Sequence, residues 1–346
     1  MHRGGAATTI VDIQYSCVFT SCTVYYTPFP VVRLARDDAG EGETVMAVVG
    51  NGGGLEPATL VSLDFGNKQA STFWQLLNEG KHVVLPASPL CLGLTTNASR
   101  SLCCTVLVEK TSNPPVPTST AFVYSFGDGE APRLNGRLAS CHSCDFHRDK
   151  LWCLSQTKQG VKGGVLLFSL NDLAGDAQLH VIDDNSAFLG VVPAPISIEA
   201  VDVNVAHIFT DHGVLRCDAR MKELHWIWQS REHLLSGVGC KRGERIVLAS
   251  ESDAVMVFDV RKAFHAMYEV NVSFPVVLRS SRSGSVVLAA SRHQVGVFHV
   301  EQLEFLGAFD GPGGVLDATP LVEEKHAVRV VSVTADGCLC DWTMEF

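Results

Sequence analysis

The stretch that decides the fold is Arg245–Arg261, with the sequence RIVLASESDAVMVFDVR. An apolar strand (RIVLAS), a polar turn (ESDA) and a second apolar strand (VMVFDV) follow one another, which is typical of a tight β-hairpin. The second strand belongs to a recurring phrase in which small and large apolar residues alternate, often before an acidic residue. The seven copies of the phrase are Leu60–Phe65, Ala121–Phe126, Val165–Leu170, Val214–Ala219, Val255–Val260, Val295–Val300 and Cys338–Thr343.

The spacing of these copies predicts the architecture. Aligned at their fourth residues, they stand 61, 44, 49, 41, 40 and 43 residues apart. A period of about 40–45 residues built from short strands is typical of a β-propeller. Seven such blades fill the 346 residues, so the sequence predicts an all-β fold, a single seven-bladed propeller over residues 1–346. The spacing of 61 leaves six or eight blades as alternatives.

The two ends of the chain are expected to meet. The last copy of the phrase, Cys338–Thr343, resembles a third strand, so the last blade lacks an outer strand. Residues 1–28 contain two β-rich apolar segments, Thr9–Phe19 and Val24–Thr27. A strand from this region would close the ring and remove a free sheet edge. We therefore expect residues 1–28 to supply the closing strand and residues 29–346 to form the blades.

Composition argues against several classes of function. A net charge of -10 without a basic run is unfavourable for binding nucleic acid. The sequence contains no run of about 18 apolar residues, the length that a transmembrane helix needs. Its N-terminus lacks the apolar centre of a secretory signal, so the 12 cysteines are expected to be reduced thiols. These observations predict a cytoplasmic protein.

Residue patterns typical of catalysis are not evident in the sequence. The 13 histidines are scattered, and no serine lies in a G-x-S-x-G elbow. Carboxylate pairs such as Asp183-Asp184 lie in polar, turn-like contexts. The sequence therefore predicts no classical catalytic site, although a propeller enzyme with a site in its central channel remains an alternative.

One cysteine-rich segment has the ligand types of a zinc site. Cys141 and Cys144 stand at C-x-x-C spacing, and Cys153 follows nearby. In a straight strand, however, residues three apart point to opposite faces of the sheet. We therefore interpret these residues as structural thiols of the third blade, with zinc ligation as the alternative.

The turns and strand ends resemble those of WD repeats in a degenerate form. Asp211, Asp253 and Asp336 each lie in the turn before a third strand, where a carboxylate can accept local backbone hydrogen bonds. The third strands end in Phe258-Asp259 and Cys217-Asp218, as in that repeat family. The resemblance covers most of the chain. It implies a protein-interaction propeller that is part of a larger complex.

A more specific resemblance covers Tyr25–Gly54, with the sequence YYTPFPVVRLARDDAGEGETVMAVVGNGGG. Its aromatic opening, its turn at Pro28–Pro30, its strand Ala47–Val49 and its glycine run are similar to the start of one family of exchange factors. That family, of the prolactin regulatory element-binding protein type, loads the small GTPase that initiates the COPII coat. The last two blades, Ser283–Cys340, are similar in layout to the final blades of the family.

The resemblance implies a site and an activity. In that family the glycine-rich loop binds a potassium ion and contacts the GTPase, which implies guanine-nucleotide exchange in ER-to-Golgi COPII vesicle formation at the endoplasmic reticulum. Family members carry a longer loop and a C-terminal transmembrane anchor, neither of which has a counterpart in this sequence. A non-catalytic WD-repeat scaffold subunit with a flexible hairpin loop remains the alternative. The implied partner-binding residues are Gly50, Asn51, Gly52, Gly53, Gly54 and Glu56, with potassium at Gly52, Gly53 and Gly54.

Overall fold

Seven antiparallel sheets of four strands each make up the part of the chain that the structure describes, which confirms the predicted all-β, seven-bladed propeller. Within the described residues, no helix has the length and apolar character that crossing a bilayer requires. A four-residue helix, α1 (Phe73–Leu76), interrupts the strands of the first blade. The computed structural model describes residues 18–27, 31–36, 43–50, 57–86, 90–97, 102–110, 117–126, 132–156, 163–175, 177–183, 186–188, 190, 192–221, 223–240, 243–262, 266–271, 277–310 and 314–346.

The strands follow one another from the centre of the ring outward in each blade. In chain order they are β1 (Val18–Tyr26), β2 (Val31–Arg36), β3 (Thr44–Val49), β4 (Thr59–Asp64), β5 (Leu77–Val84), β6 (Leu90–Asn97), β7 (Leu102–Lys110), β8 (Pro117–Ser125), β9 (Arg133–Ala139), β10 (Cys141–His147), β11 (Lys150–Gln156), β12 (Gly163–Ser169), β13 (Gln178–Ile182), β14 (Pro195–Asp202), β15 (Val205–Thr210), β16 (Gly213–Asp218), β17 (His225–Gln229), β18 (Leu234–Cys240), β19 (Arg245–Ser250), β20 (Ala254–Asp259), β21 (Tyr268–Asn271), β22 (Val277–Ser280), β23 (Val286–Ala290), β24 (Gln294–His299), β25 (Glu304–Asp310), β26 (Val315–Glu324), β27 (Ala327–Thr334) and β28 (Cys338–Glu345).

Blades 1 to 6 each take four consecutive strands, from β2–β5 to β22–β25, and blade 7 combines β26, β27 and β28 with β1. The first strands β2, β6, β10, β14, β18, β22 and β26 contact one another in this order around the centre, and β26 contacts β2 again. The ring is therefore closed.

The N-terminal strand closes the last blade, as predicted. β1 pairs antiparallel with β28, from Val18 opposite Glu345 to Tyr26 opposite Cys338. The backbone N–H and the hydroxyl of Thr27 both donate to the carbonyl of Gly337, at 2.9 and 2.6 Å. These bonds extend the seam beyond the end of the strand.

The long spacing between the first two copies of the repeated phrase lies within blades and does not conceal a further blade. Leu63 lies on β4 of blade 1 and Tyr124 on β8 of blade 2, with α1 inserted between them. In the seventh copy the structural equivalent of Phe258 is Trp342. Phe258 pairs with Ile246 and Trp342 pairs with Val330, at matching places in their hairpins. The predicted alignment at Asp341 is therefore wrong by one residue.

The hydrophobic core lies between neighbouring blades. Every residue of β15 and of β20 is buried, because these middle strands are covered by a blade on each side. Val257 of blade 5, for example, shares a cluster with Val287 and Phe298 of blade 6. Strands buried on both faces have few positions for charge, which explains why only 18% of the residues are charged.

A β-bulge recurs near the start of the first strand in six blades. In blade 3, Cys141 pairs with Ser155 and Ser143 with Leu154, so one extra residue stands between two adjacent pairs. Such a residue changes the direction of the side chains that precede it. The extra residues are Val32, Leu92, His142, Ile196, Leu235 and Leu316.

In blades 3, 5 and 7, the polar side chain that directly follows the bulge links its blade to the next one. It accepts a hydrogen bond from a backbone N–H group on the first strand of the following blade. These bonds stabilise the contacts between those neighbouring blades. The pairs are Ser143 with Ile198 at 3.4 Å, Ser236 with Leu278 at 3.2 Å and Asp317 with Leu34 at 3.1 Å.

Candidate functional site

The propeller has two faces, because antiparallel strands place alternate connections at opposite ends. In blade 1, Val31 lies opposite Val49, Val49 opposite Thr59, and Thr59 opposite Val84, so these four residues mark one end. This end carries the turns between second and third strands and the connections from each outer strand to the next blade. We name it the loop face and define it by the described residues of its turns between second and third strands, which are 50, 57–58, 211–212, 251–253, 291–293 and 335–337.

The described residues on either side of the predicted glycine-rich site lie at the loop face. Gly50 directly follows β3 and is half-buried, and Pro57 shortly precedes β4. The segment between them therefore connects the second and third strands of blade 1, as the sequence predicts. The predicted site residues Asn51, Gly52, Gly53, Gly54 and Glu56, which include the predicted potassium ligands, lie outside the described residues.

Exposed apolar side chains lie at the loop-face ends of the blades around this segment. Tyr26 at the end of β1 is 80% exposed, and Val84 at the end of β5 is 64% exposed. Leu92 and Leu316, the bulge residues of blades 2 and 7, are also exposed. Scattered exposed apolar residues are common on protein surfaces, and these four lie on two outer strands and two first strands of three consecutive blades. Sequence reasoning missed these four, because exposure depends on where each strand ends.

The turn aspartates bind different partners from those the sequence predicts. Oδ1 of Asp211 accepts from the backbone N–H of Ala194, which lies in the preceding connection, at 2.9 Å. The carboxylate of Asp336 accepts from the hydroxyl of Thr334. Asp253 has a φ of 63°, a left-handed conformation that aspartate tolerates better than most residues. The carboxylates of Asp211 and Asp336 therefore stabilise their turns through groups outside the turn's own backbone.

The acidic residues that end the third strands have a structural role. Asp259 accepts hydrogen bonds from the side chain of Arg261 and from its backbone N–H. These bonds lower the pKa of Asp259 to about 2. Asp218 and Arg220 repeat the arrangement in blade 4. Both carboxylates are thus held in their charged form by a neighbouring arginine and do not resemble catalytic acids.

Two carboxylates lie on the first strands, beside the central channel. Asp145 accepts from the hydroxyl of Thr95 at 2.9 Å and from the backbone N–H of Ala200 at 2.9 Å. Glu199, at the equivalent place in blade 4, accepts from the backbone N–H of Gly239. Burial, followed by the charge of Asp145, raises the pKa of Glu199 to about 7. Asp145 and Glu199 thus accept hydrogen bonds from backbone and hydroxyl groups of neighbouring blades. These bonds stabilise the contacts between the blades.

We expect Glu199 to make stability fall as the pH rises. Its pKa is about 7 when folded and about 4.3 in an unfolded chain. The stability that Glu199 contributes to the folded state is therefore complete below about pH 4 and is lost as the pH rises through 7. Glu199→Gln keeps an acceptor for Gly239 and should raise the free energy of unfolding at pH 8 by about 3–4 kcal/mol. Urea unfolding at pH 5 and pH 8 measures this effect.

The control for this pH effect is Glu223→Gln. Glu223 is exposed, so the same chemical change there should leave the pH dependence of unfolding unaltered. Equal slopes of stability against pH in the wild type and Glu199→Gln would contradict the account.

The cysteine-rich segment differs from its prediction in geometry. The bulge at His142 breaks the alternation of the strand, so Cys141 and Cys144 contact each other and do not point apart. Cys141 also contacts Cys153, and Sγ of Cys144 lies 3.1 Å from Sγ of Cys104 in blade 2. The expectation that Cys141 and Cys144 lie on opposite faces is wrong because it assumed a straight strand.

The chemistry of these four thiols fits structural residues. Cys104, Cys141 and Cys153 are buried in an apolar cluster, and Cys144 packs against it. Hydrogen bonds from Cys144 and Cys153 lower the pKa of Cys141, whereas burial raises the pKa of Cys153. The sulfur contacts run from Cys153 to Cys141, from Cys141 to Cys144 and from Cys144 to Cys104. A zinc ion needs its ligands arranged tetrahedrally around one centre, so this arrangement does not resemble a zinc site.

A polar cleft of about 390 Å³ lies on the opposite face, between blades 7 and 1. At its centre, Arg329 donates to the carboxylate of Asp341 at 2.9 and 2.6 Å and to the carbonyl of Phe65 at 3.0 Å. It also pairs with Glu43 of blade 1. Since these contacts join the last blade to the first, the arginine strengthens the closure of the ring.

Comparison with known proteins leaves the family open. No protein-family model and no curated protein matches this chain.

Proposed function

We propose that this protein binds a small GTPase through the loop face of blades 7, 1 and 2 and acts as its guanine-nucleotide exchange factor in ER-to-Golgi COPII vesicle formation. The β-propeller fold suggests a role in protein interaction. The observation that supports the choice of surface is that Gly50 and Pro57, the described residues that flank the glycine-rich segment, lie at the same face as the exposed ends at Tyr26, Val84, Leu92 and Leu316.

The proposed mechanism is differential binding. An exchange factor accelerates nucleotide release only in so far as it binds the nucleotide-free GTPase more tightly than the nucleotide-bound form. Glycines at 52–54 would let the backbone approach the partner closely, since they lack side chains. The carboxylate of Glu56, if placed near the phosphates of the nucleotide, would weaken their binding by like-charge repulsion. A potassium ion on carbonyls of Gly52, Gly53 and Gly54 would order this segment for binding.

Affinity for two states of the GTPase tests this proposal. The coat-initiating GTPase of the same organism is immobilised either with GDP or free of nucleotide, and binding of the propeller is measured in potassium buffer. We expect at least hundredfold tighter binding to the nucleotide-free form, a preference of about 2.7 kcal/mol. Replacing potassium with sodium should reduce this preference.

The outcomes separate the two candidate functions. Equal affinity for both states would favour a scaffold subunit that holds the GTPase without promoting exchange. Absence of binding to either state, with the propeller folded, would exclude this GTPase as the partner.

A further inference from the structure

A second group of side chains on the loop face has the composition of a metal site. Asp211 and His212 occupy the turn between β15 and β16 of blade 4, and His233 directly precedes β18 of blade 5. One carboxylate oxygen of Asp211 and one ring nitrogen of each histidine lie within 4.8 Å of one another. The group therefore joins two blades and is independent of the glycine-rich segment in blade 1.

The backbone holds these three residues in place. The carbonyl of Asp211 accepts from the N–H of Leu234 at 2.9 Å, which joins the turn to the start of β18. The carbonyl of His212 accepts from Ser230 at 2.8 Å, and that of His233 accepts from Glu251 at 2.9 Å. The ligand atoms are thus carried on backbone segments that are fixed to one another, a condition for a site that needs little rearrangement.

The side chains are also oriented by neighbours. Oδ1 of Asp211 is occupied by the N–H of Ala194, while Oδ2 lies 3.9 Å from Nε2 of His212. A backbone bond to one oxygen is the type of outer contact that orients a carboxylate ligand. The ring of His212 packs between Phe188, at 6.1 Å, and His233, at 4.8 Å between ring centroids.

His212 has a polar atom whose surroundings fit a metal site. Its Nδ1 is enclosed and has no hydrogen-bond partner among the described residues. Enclosed polar atoms without a partner are uncommon in native proteins, and a bound ion or water is one of the accepted explanations. The exposed ring of His233 keeps the group accessible from solvent.

We propose that Asp211, His212 and His233 form a binding site for a first-row divalent transition metal, with Zn²⁺ as the expected ion. Two imidazoles and one carboxylate are ligands that zinc accepts in tetrahedral geometry. Three protein ligands leave at least one position for water or for a side chain of a partner. The ion joins blades 4 and 5 on the loop face. This inference stands whether or not the proposed exchange activity is correct.

Calorimetric titration of the chelator-treated full chain with Zn²⁺ alone tests the site. We expect one site that is weakened at least tenfold by His233→Ala, which removes an exposed ligand and should not disturb folding. Asp211→Asn should also weaken binding at least tenfold, because it keeps the acceptor for Ala194 and removes the charge.

The matched control is His293→Ala. His293 is exposed and occupies the equivalent turn of blade 6, where Arg292 replaces the aspartate. Zn²⁺ affinity should not change in this variant. Absence of Zn²⁺ binding in the wild type, or equal affinity in the wild type, His233→Ala and Asp211→Asn, would overturn the proposal. Titration with Co²⁺ gives a further test, since a thiolate charge-transfer band would assign the ion to the cysteines of blade 3 and overturn it as well.

Discussion

Deletion of residues 1–26 is expected to abolish cooperative folding. The deletion removes β1, so β28 becomes an open edge along the whole length over which it pairs with β1. It also removes Tyr25, which is 5% exposed and packs edge-on against Phe65 of blade 1 at 6.1 Å. Burial of one such side chain contributes about 2–3 kcal/mol, and each strand hydrogen bond about 1 kcal/mol.

The sum of these losses is comparable with the whole stability of an ordinary domain, which is about 5–15 kcal/mol. Urea unfolding followed by tryptophan fluorescence should therefore show no cooperative transition in the deletion variant. Size-exclusion chromatography should show association, because an unpaired edge offers free backbone groups to other chains.

A circular permutant provides the control for this deletion. Val18 pairs with Glu345, so a short turn can join Phe346 to Val18 and place the same strand after β28. If the strand acts by closing the ring, the permutant regains cooperative unfolding, because it contains β1 although it lacks residues 1–17. If the deletion variant unfolds like the wild type, or if the permutant is no better than the deletion, ring closure by β1 does not stabilise the fold.

Much of the fold could be predicted, because its information is local and repeated. Each hairpin, such as β19 with β20, encodes its own strands and turn, and seven copies at a regular spacing fix the number of blades. Closure by the N-terminus follows from a strand that is missing at the end of the repeat. The placement of Asp341 was wrong by one residue because the copy Cys338–Thr343 begins at the first residue of β28, whereas the copy Val255–Val260 begins at the second residue of β20.

The details that decide side-chain contacts were less predictable. Alternation along a straight strand put Cys141 and Cys144 on opposite faces, and a single bulge residue reversed this result. Contacts between blades, such as Arg329 with Glu43, join residues 286 positions apart. Such distant pairs cannot be predicted from a single sequence without aligned relatives. The sequence contains one pattern that could have indicated the site at Asp211, His212 and His233. One histidine lies in a turn of a blade, and another directly precedes the next blade.

Substitution of Gly53 by Asp is expected to reduce the acceleration of GDP release at least tenfold, if the glycine-rich connection contacts the GTPase. The change adds a side chain and a negative charge where the proposed contact requires close approach of the backbone. It would also disturb potassium binding at Gly52–Gly54. Stability should change little, because the pairing of β3 with β4 ends at Val49 and Thr59 and does not include this position.

Asn67→Asp is the matched control for this substitution. Asn67 is exposed on the opposite face of the same blade, in the connection between β4 and β5, and the change adds the same single charge. Aspartate retains the Oδ1 acceptor for the backbone N–H of Gln69. If added surface charge alone reduced the acceleration of GDP release, both variants would therefore show the same reduction.

The most direct test of a GTPase-binding loop face is fluorescence-monitored release of GDP from the coat-initiating small GTPase of the same organism, in potassium buffer. The wild type and Asn67→Asp should accelerate release to the same extent, and Gly53→Asp should not. Equal release with and without the folded wild-type propeller, or equal acceleration by all three proteins, would contradict the account.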